Sequence, residues 1–315
     1  MSKMPPMVAI MGPTASGKTG LAMALLDCMD AEIISVDSAL VYRTMDIGTA
    51  KPTAGELARA PHRLIDLVDP DVAYSAGQFR RDAIDAIDEI TAAGRAVILA
   101  GGTMLYFRAL LNGIDTLPEA DPAVRARLDE RGAEEGWPSL HAELARVDSA
   151  AAQRIHPNDA QRIQRALEVY QVSGQPLSHW QQQRTPGLDR VVHKIGLIPT
   201  DRSRLHARIE QRFDAMLVAG FEEEVRALMQ RFDLTPEHPS MRAVGYRQIA
   251  AYIAGDMDFA QARADAITAT RRLARRQLTW LRREPDLHVI DSEADDARER
   301  AVSTLHLRGA APWGL

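Results

Sequence analysis

Residues 7–26 have the sequence MVAIMGPTASGKTGLAMALL, in which a short apolar run, a glycine-rich segment and a second apolar run follow one another. The first run predicts a buried strand and the second predicts a helix. The segment between them fits the pattern G-x-x-x-x-G-K-[ST] of a P-loop, whose backbone N–H groups surround a phosphate at a helix N-terminus. A chance match is the alternative, but the flanking strand and helix are the context that the motif requires. We therefore expect a phosphate or diphosphate to bind at Gly12, Pro13, Thr14, Ala15, Ser16, Gly17, Lys18 and Thr19.

Two side chains of this segment have chemistry of their own. Lys18 adds a full positive charge beside the phosphate, and the hydroxyl of Thr19 is placed to ligate a Mg²⁺ ion that the phosphates share. We therefore expect both residues to be catalytic, Thr19 to be a metal ligand and Mg²⁺ to be the cofactor.

The composition is that of a globular protein, with 315 residues of which 46% are hydrophobic and 26% charged. A single cysteine, Cys28, permits neither an internal disulfide nor a cysteine-based zinc site. No apolar run approaches the roughly 18 residues of a membrane span, and the first residues lack the apolar core of a signal peptide. We expect a cytoplasmic protein with no membrane partner. The net charge of −5 argues against coating by nucleic acid, but it averages over local clusters.

Two further apolar runs, at residues 32–36 and 96–100, predict buried strands, and residues 76–93 between them have the apolar spacing of a helix. Strands that alternate with helices indicate an α/β fold with a parallel sheet flanked by helices. Ligands of such sheets bind beyond the carboxyl ends of the strands. We therefore expect the P-loop, the turn at Asp37 and the turn at residues 101–103 to meet in one crevice.

The pattern changes near residue 117. From residue 121 to about residue 183 the chain is helical in pattern and is interrupted by prolines. We expect residues 116–195 to form an all-helical domain inserted into a P-loop α/β core of residues 1–115 and 196–315. The alternative is that these helices pack on the sheet as part of the core. The terminal residues 308–315 are expected to be loosely held.

Asp37 follows the strand predicted at residues 32–36. A P-loop enzyme needs a carboxylate near its metal or as a proton acceptor, and the strand that ends at residue 100 offers only glycines there. Asp37 is therefore the available acid. Aspartates also form turns and cap helices, and spacing alone leaves both roles open. The hydroxyl of Thr103 could likewise serve the site or only stabilise a turn.

Arginines cluster in several segments of the second half of the chain. On a helical projection at about 100° per residue, a strip within an arc of about 140° contains Arg271, Arg272, Arg275, Arg276, Arg282 and Arg283. Leu273, Leu278 and Trp280 lie on the opposite side, which we expect to pack on the core. A solvated face is the ordinary explanation of such a strip, but few acids are interleaved, so we expect an anionic partner. Basic residues in several segments favour a long polyanion over a small phosphorylated metabolite.

Several segments together resemble the bacterial tRNA dimethylallyltransferase (isopentenyltransferase) family. Besides the P-loop they are DSALVYR at 37–43, MDIGTAKP at 45–52, GGTMLY at 101–106, NDAQRIQRALEV at 158–169, MRAVGYRQ at 241–248 and RRQLTWL at 275–281. They run in family order over residues 8–283. The single cysteine excludes the C-terminal zinc finger of eukaryotic relatives, so the resemblance is to the bacterial form.

The resemblance implies transfer of a dimethylallyl group from dimethylallyl diphosphate to N6 of the adenosine 3′-adjacent to the anticodon, in tRNAs that read codons beginning with U. The P-loop would hold the diphosphate with Mg²⁺, and Asp37 would be the general base. The partner would be the tRNA anticodon stem-loop, gripped by the helical insertion, and we expect a monomer. The resemblance assigns tRNA contacts to Asp37, Ser38, Ala39, Leu40, Thr103, Arg125, Gln161, Arg162, Ile163, Gln164, Arg165, Arg242, Ala243, Val244, Gly245, Tyr246 and Arg247.

Two other functions are compatible with the P-loop. An ATP-dependent small-molecule kinase is the main alternative, but it would leave the dispersed arginines unused. A nucleotide-dependent switch is the other, although the chain has no Asn-Lys pair of the kind that reads guanine in GTPase switches.

Overall fold

The computed structural model describes residues 5–182 and 185–307. The segment 308–315, expected to be loosely held, lies outside the described residues. None of the described helices combines the length and the apolar character that a membrane crossing requires.

The described strands form one six-stranded sheet in the order β3-β2-β4-β1-β5-β6, with every neighbouring pair parallel. Parallel neighbours need a crossover connection, and the helices between the strands supply it. The predicted α/β fold is therefore confirmed. The strands are β1 (Met7–Met11), β2 (Ala31–Val36), β3 (His62–Arg63), β4 (Ala96–Gly101), β5 (Val192–Ile198) and β6 (His288–Asp291).

Helices connect and cover these strands. The helices of the sheet-containing part are α1 (Lys18–Leu26), α2 (Ala54–Arg59), α3 (Ala76–Ala92), α4 (Met104–Asn112), α10 (Arg202–Val218), α11 (Phe221–Phe232), α12 (Tyr246–Ala254), α13 (Phe259–Leu281) and α14 (Ala297–Leu307). Between them in sequence lie α5 (Pro122–Glu135), α6 (Trp137–Val147), α7 (Ser149–Arg154), α8 (Ala160–Ser173) and α9 (Leu177–Trp180).

The central strands are buried because their side chains are apolar on both faces, as expected for a parallel sheet. Val8 and Ile10 of β1 belong to a cluster with Ile33 and Ile98, which packs against α1 and α14. Helix α3 contacts β2 and β4. This helix begins with a capping box between Ser75 and Gln78.

The chain divides into two compact units, an α/β unit of Met1–Leu110 with Arg190–Leu315 and a helical unit of Leu111–Asp189. The helical unit has its own apolar core, which includes Leu128, Leu140 and Leu144. The helical domain expected at residues 116–195 begins five residues after the start of this unit and ends six residues after its end. The upper bound differs because β5 begins at Val192, several residues before its most apolar part.

Candidate active site

Three turns of the α/β unit begin at the same level of the sheet. Val36 and Met11 both pair with Gly101, so the carboxyl ends of β2, β1 and β4 are aligned. The residues that follow these ends line a single cavity of about 570 Å³. The prediction that the P-loop, the Asp37 turn and the 101–103 turn share one crevice is therefore confirmed. A cavity of this volume can hold a small organic molecule.

The P-loop connects β1 to the N-terminus of α1. A Cβ at Gly12 would lie 2.5 Å from Ser16 Oγ and 2.7 Å from the carbonyl oxygen of Leu197, so the loop requires glycine at this position. The Lys18 ammonium donates to the carbonyl oxygen of Pro13 at 2.7 Å. Ser16 Oγ is buried and has no hydrogen-bond partner within the described residues. An unpaired buried hydroxyl in a phosphate-binding loop is suited to donate to an anion.

Lys18 is electrostatically coupled to two other residues of the cavity. Burial lowers the pKa of its ammonium from 10.5 to about 8; Asp37 opposes this change, and Arg212 adds to it. Burial also lowers the pKa of Arg212, and the negative charge of Asp37 again opposes this change. Two cations therefore surround one carboxylate, and this part of the cavity is poised to bind an anion.

The structure shows the turn role of Asp37. Its Oδ1 accepts the N–H of Ala39 at 2.9 Å, and the Thr103 hydroxyl accepts the N–H of Ser38 at 3.0 Å. The carboxylate also lines the cavity, where it is the only carboxylate among the lining residues of the described ranges. Its role as a general base stays a prediction, and the turn contact is compatible with it because Oδ2 is not used in the turn.

Glu224 anchors the wall formed by residues 46–52. Its carboxylate accepts the backbone N–H groups of Asp46, Ile47 and Gly48 at 2.9, 2.7 and 3.1 Å. It also accepts the hydroxyl of Tyr246 at 2.6 Å. Burial, followed by the charge of Glu224, raises the pKa of this phenol, which therefore stays protonated and keeps the wall attached to α12.

The arginine-rich helix α13 contributes Arg276, Gln277 and Trp280 to the cavity lining. Trp280 is 43% exposed, so the expectation that it packs on the core is wrong. Trp280 lies one residue before the end of α13, where it lines the cavity. Arg271 is paired with Glu210 of α10 at 2.9 Å. The anionic partner of the strip is therefore partly an acid of the protein itself.

Residues 242–247, which comprise the end of the loop before α12 and the first two residues of that helix, were predicted to contact tRNA. Arg242, Ala243, Val244, Gly245 and Tyr246 line the cavity, whereas Arg247 is exposed outside the lining. The ring of Tyr246 is completely buried and packs edge-to-face on Phe221 at 4.9 Å between centroids. The tRNA contacts of this loop stay a prediction.

In the helical unit, two predicted tRNA-binding arginines bind a buried acid. Glu168 is completely buried, and Arg125 donates to it from Nε at 2.8 Å and from Nη2 at 3.1 Å. Arg165 donates to the same carboxylate at 2.6 Å and to the carbonyl oxygen of Pro118 at 2.7 Å. The N–H of Asp121 is a further donor at 2.9 Å. Burial alone would raise the pKa of Glu168, but these donors together hold it below its ordinary value.

Leu40 lines the cavity, and four further predicted residues lie on α8. Gln161 and Arg162 are exposed, and Gln164 is half-buried, with its amide 3.4 Å from the carbonyl oxygen of Arg125. The side chain of Ile163 lies in the core of the helical unit and is completely buried. The tRNA contact predicted for Ile163 stays a prediction, and the burial of its side chain does not support it.

The residues of the cavity fit a magnesium–diphosphate ion pair. No group of three or more His, Cys, Asp or Glu side chains suited to a metal was found in residues 5–182 and 185–307. Mg²⁺ commonly takes one or two protein oxygens and obtains its other ligands from substrate phosphates and water. Thr19 lines the cavity and can supply one such oxygen, which matches that arrangement.

The parallel sheet and the glycine loop between β1 and α1 define a P-loop α/β protein. Residues 40–284 match the family model for IPP transferase. The chain belongs to the IPP transferase family.

Curated relatives match the chain over most of its length. A tRNA dimethylallyltransferase from Bordetella petrii is 54% identical over 308 residues, which cover 97% of this chain and 98% of the relative. The protein of the same name from Burkholderia ambifaria is 56% identical over 300 residues, covering 94% and 93%.

Solved structures share the fold. A full-length tRNA isopentenylpyrophosphate transferase from Bacillus halodurans is 34% identical, with a TM-score of 0.69, and the match covers 97% of this chain and 96% of that one. A eukaryotic dimethylallyltransferase that acts on tRNA is 24% identical and supports the fold alone, with a TM-score of 0.80 over 97% of this chain and 80% of that one.

Proposed function

We propose that this protein transfers the dimethylallyl group of dimethylallyl diphosphate to N6 of the adenosine 3′-adjacent to the anticodon, in tRNAs that read codons beginning with U. The observation that carries the proposal is one cavity that joins a P-loop, a single carboxylate and an arginine-bearing rim. The names of the relatives agree with it. They do not favour the kinase alternative.

The donor would bind through its diphosphate. The P-loop N–H groups, the Ser16 hydroxyl and the Lys18 ammonium would hold the phosphate oxygens, and Arg212 would add a second cation from α10. As the allylic C–O bond breaks, its electron pair passes to the diphosphate. Fixed donors stabilise charge most effectively where it develops, so the cradle would lower the barrier of this bond cleavage.

The acceptor amine is a weak nucleophile because its lone pair is delocalised into the adenine ring. N6 would form the new bond to the allylic carbon, and the N6 proton would pass to the carboxylate of Asp37. Enzymes that modify a base in a stacked strand must first take that base out of the stack. We expect Thr103 and the 242–246 loop to contact the extruded nucleotide, because both line the cavity with Asp37.

We propose Mg²⁺ as the divalent cation, bound by Thr19 together with the diphosphate. Such an ion would neutralise charge on the leaving diphosphate. We also propose that the protein acts as a monomer in the cytoplasm. Light scattering of the purified protein with and without tRNA tests the oligomeric state.

The test is incubation of the protein with an unmodified tRNA transcript that reads a UNN codon, Mg²⁺ and labelled dimethylallyl diphosphate. We expect N6-isopentenyladenosine after nuclease digestion and chromatography of the nucleosides. Labelled ATP serves as the control donor. Phosphoryl transfer from ATP without prenylated nucleoside would reject the proposal in favour of a kinase.

A further inference from the structure

The side chain of Gln277 joins two turns that are far apart in the sequence. Gln277 lies on α13 and is 8% exposed. Its Oε1 accepts the N–H of Thr14 at 2.9 Å, and its Nε2 donates to the carbonyl oxygen of Gly102 at 2.8 Å. Because one partner is a donor and the other an acceptor, only one orientation of the amide satisfies both.

One of the two turns is the P-loop, and the other is hydrogen-bonded to the turn that contains Asp37. Thr14 belongs to the P-loop. Gly102 is followed by Thr103, whose N–H donates to the carbonyl oxygen of Val36 at 3.1 Å. The Thr103 hydroxyl accepts the N–H of Ser38 at 3.0 Å, directly after Asp37. A chain of hydrogen bonds therefore runs from the P-loop through Gln277 to the turn that holds the carboxylate.

The amide fits closely against both turns. A Cβ at Gly102 would lie 2.5 Å from Gln277 Nε2 and 3.3 Å from the carbonyl oxygen of Gly12. Glycine at position 102 therefore lets the amide and the P-loop backbone approach from two sides. Among the described residues, no other side chain accepts the N–H of Thr14, so loss of the amide would leave this N–H unpaired or turned towards the cavity.

We propose that Gln277 is a positioning residue, which fixes the distance between the diphosphate-binding loop and the carboxylate that accepts the N6 proton. This inference rests on the proposed function. The donor and the acceptor are held by the two turns that Gln277 joins, so their reacting atoms keep their separation only while both hydrogen bonds are intact. A misplacement of about 1 Å can reduce a rate by about 100-fold.

The experiment compares Gln277→Leu with Gln261→Leu, the same change at an exposed position of the same helix. For Q277L we expect kcat to fall by about 30-fold to 100-fold. Pyrophosphate affinity should fall by about 10-fold, because the loop is less preorganised. Affinity for tRNA and the melting temperature should stay near the wild-type values. Q261L should match the wild type in all four measurements. A kcat of Q277L within threefold of the wild type overturns the inference.

Gln277→Glu supplies a second test that does not depend on the folding of Q277L. A protonated glutamic acid offers one acceptor and one donor, as the amide does, whereas the carboxylate would face the Gly102 carbonyl without a donor. The kcat of Q277E relative to the wild type should therefore rise as the pH falls from about 8 to about 6, as expected for a buried carboxyl group. A ratio that does not change with pH overturns the inference.

The two proposals fail in different ways. A wild-type protein that forms no prenylated nucleoside rejects the proposed function. The inference about Gln277 is then decided by the affinity of Q277L for inorganic pyrophosphate, measured by calorimetry, and an affinity equal to that of the wild type rejects it.

Discussion

The cationic side chains of the α/β unit and those of the helical unit have different electrostatic environments. In the cavity, the negative charge of Asp37 attracts both Lys18 and Arg212, and burial lowers the pKa of both cations. In the helical unit, Arg125 and Arg165 both bind Glu168, an acid with no exposed surface. Each arrangement sets two cations against one carboxylate. In the helical unit both guanidinium groups donate directly to the acid, whereas in the described residues neither Lys18 nor Arg212 forms an ion pair with Asp37, so these two cations remain available to a ligand. Arginine content alone therefore does not identify a binding surface.

The largest effect is expected at the one carboxylate of the cavity lining. Asp37→Asn keeps the turn, because an amide oxygen can still accept the N–H of Ala39, but it removes the proton acceptor. We expect kcat to fall by about 10²-fold to 10⁴-fold, the range for loss of a general base, with tRNA affinity retained. Steady-state kinetics and a filter-binding assay measure the two quantities.

The matched control for this variant is Asp71→Asn, at an exposed position that does not line the cavity. It should have wild-type kinetics. A D37N enzyme that retains more than a tenth of the wild-type kcat would restrict Asp37 to its role in the turn.

The second effect is on stability and concerns the helical unit. Glu168→Gln leaves two guanidinium groups without their anion, and breaking a buried ion pair costs about 3–5 kcal/mol. The side chains of Arg125 and Arg165 are 41% and 27% exposed, so water compensates part of this loss. We expect a decrease of about 1–3 kcal/mol in the free energy of unfolding, measured by urea denaturation. Glu135→Gln, which removes an exposed partner of Arg131, should leave the midpoint nearly unchanged.

The pH dependence of stability should report the ionisation of Glu168 in the helical unit. The pKa of Glu168 is below its ordinary value of 4.5 in the folded state, so the folded protein holds fewer protons there than the unfolded chain. This contribution is complete above about pH 4.5 and is lost as the pH falls through the lower, folded-state value. The wild type should therefore lose more stability than E168Q on acidification. Thermal melts of both proteins between pH 6 and pH 3.5 measure the difference, and parallel curves would contradict the assignment.

The smallest effect is on the salt dependence of tRNA binding. Arg242 is exposed at the rim of the cavity, so Arg242→Gln should remove about one phosphate contact. The slope of log K against log salt should become shallower by about 0.7 to 0.9. Arg165→Gln should change the slope little, because its guanidinium already donates to Glu168 and to the carbonyl oxygen of Pro118. Equal slopes for both variants would mean that the contrast between the two regions does not extend to RNA binding.

The sequence predicts the elements whose pattern is local. Helix α3 was expected at residues 76–93 and spans Ala76–Ala92, because its apolar spacing and its cap are both contained in the segment. The strands β3 and β6 were not predicted. They are only two and four residues long, and their pairing with distant strands, not their composition, makes them strands.

The candidate site was predictable only in part, for the same reason. The P-loop is a contiguous motif, and the position of Asp37 after a buried strand indicated the second turn. Arg212 and Gln277 reach the cavity from α10 and α13, and their roles depend on contacts across more than 150 residues of sequence. The same limit affects Arg125 and Arg165, whose shared acid is buried by tertiary packing. Motif spacing cannot distinguish an arginine that meets RNA from one that binds a buried glutamate.

Met11, Val36 and Gly101 lie side by side at the ends of their strands. The positions of the site residues therefore depend on the lengths of these strands. One residue added inside β2 would advance Asp37 by about 3.3 Å along the strand and turn its side chain to the opposite face of the sheet. The same addition in a surface connection would be absorbed without moving the carboxylate. Insertions and deletions in this protein are therefore expected to accumulate in its peripheral loops and to be excluded from the three central strands.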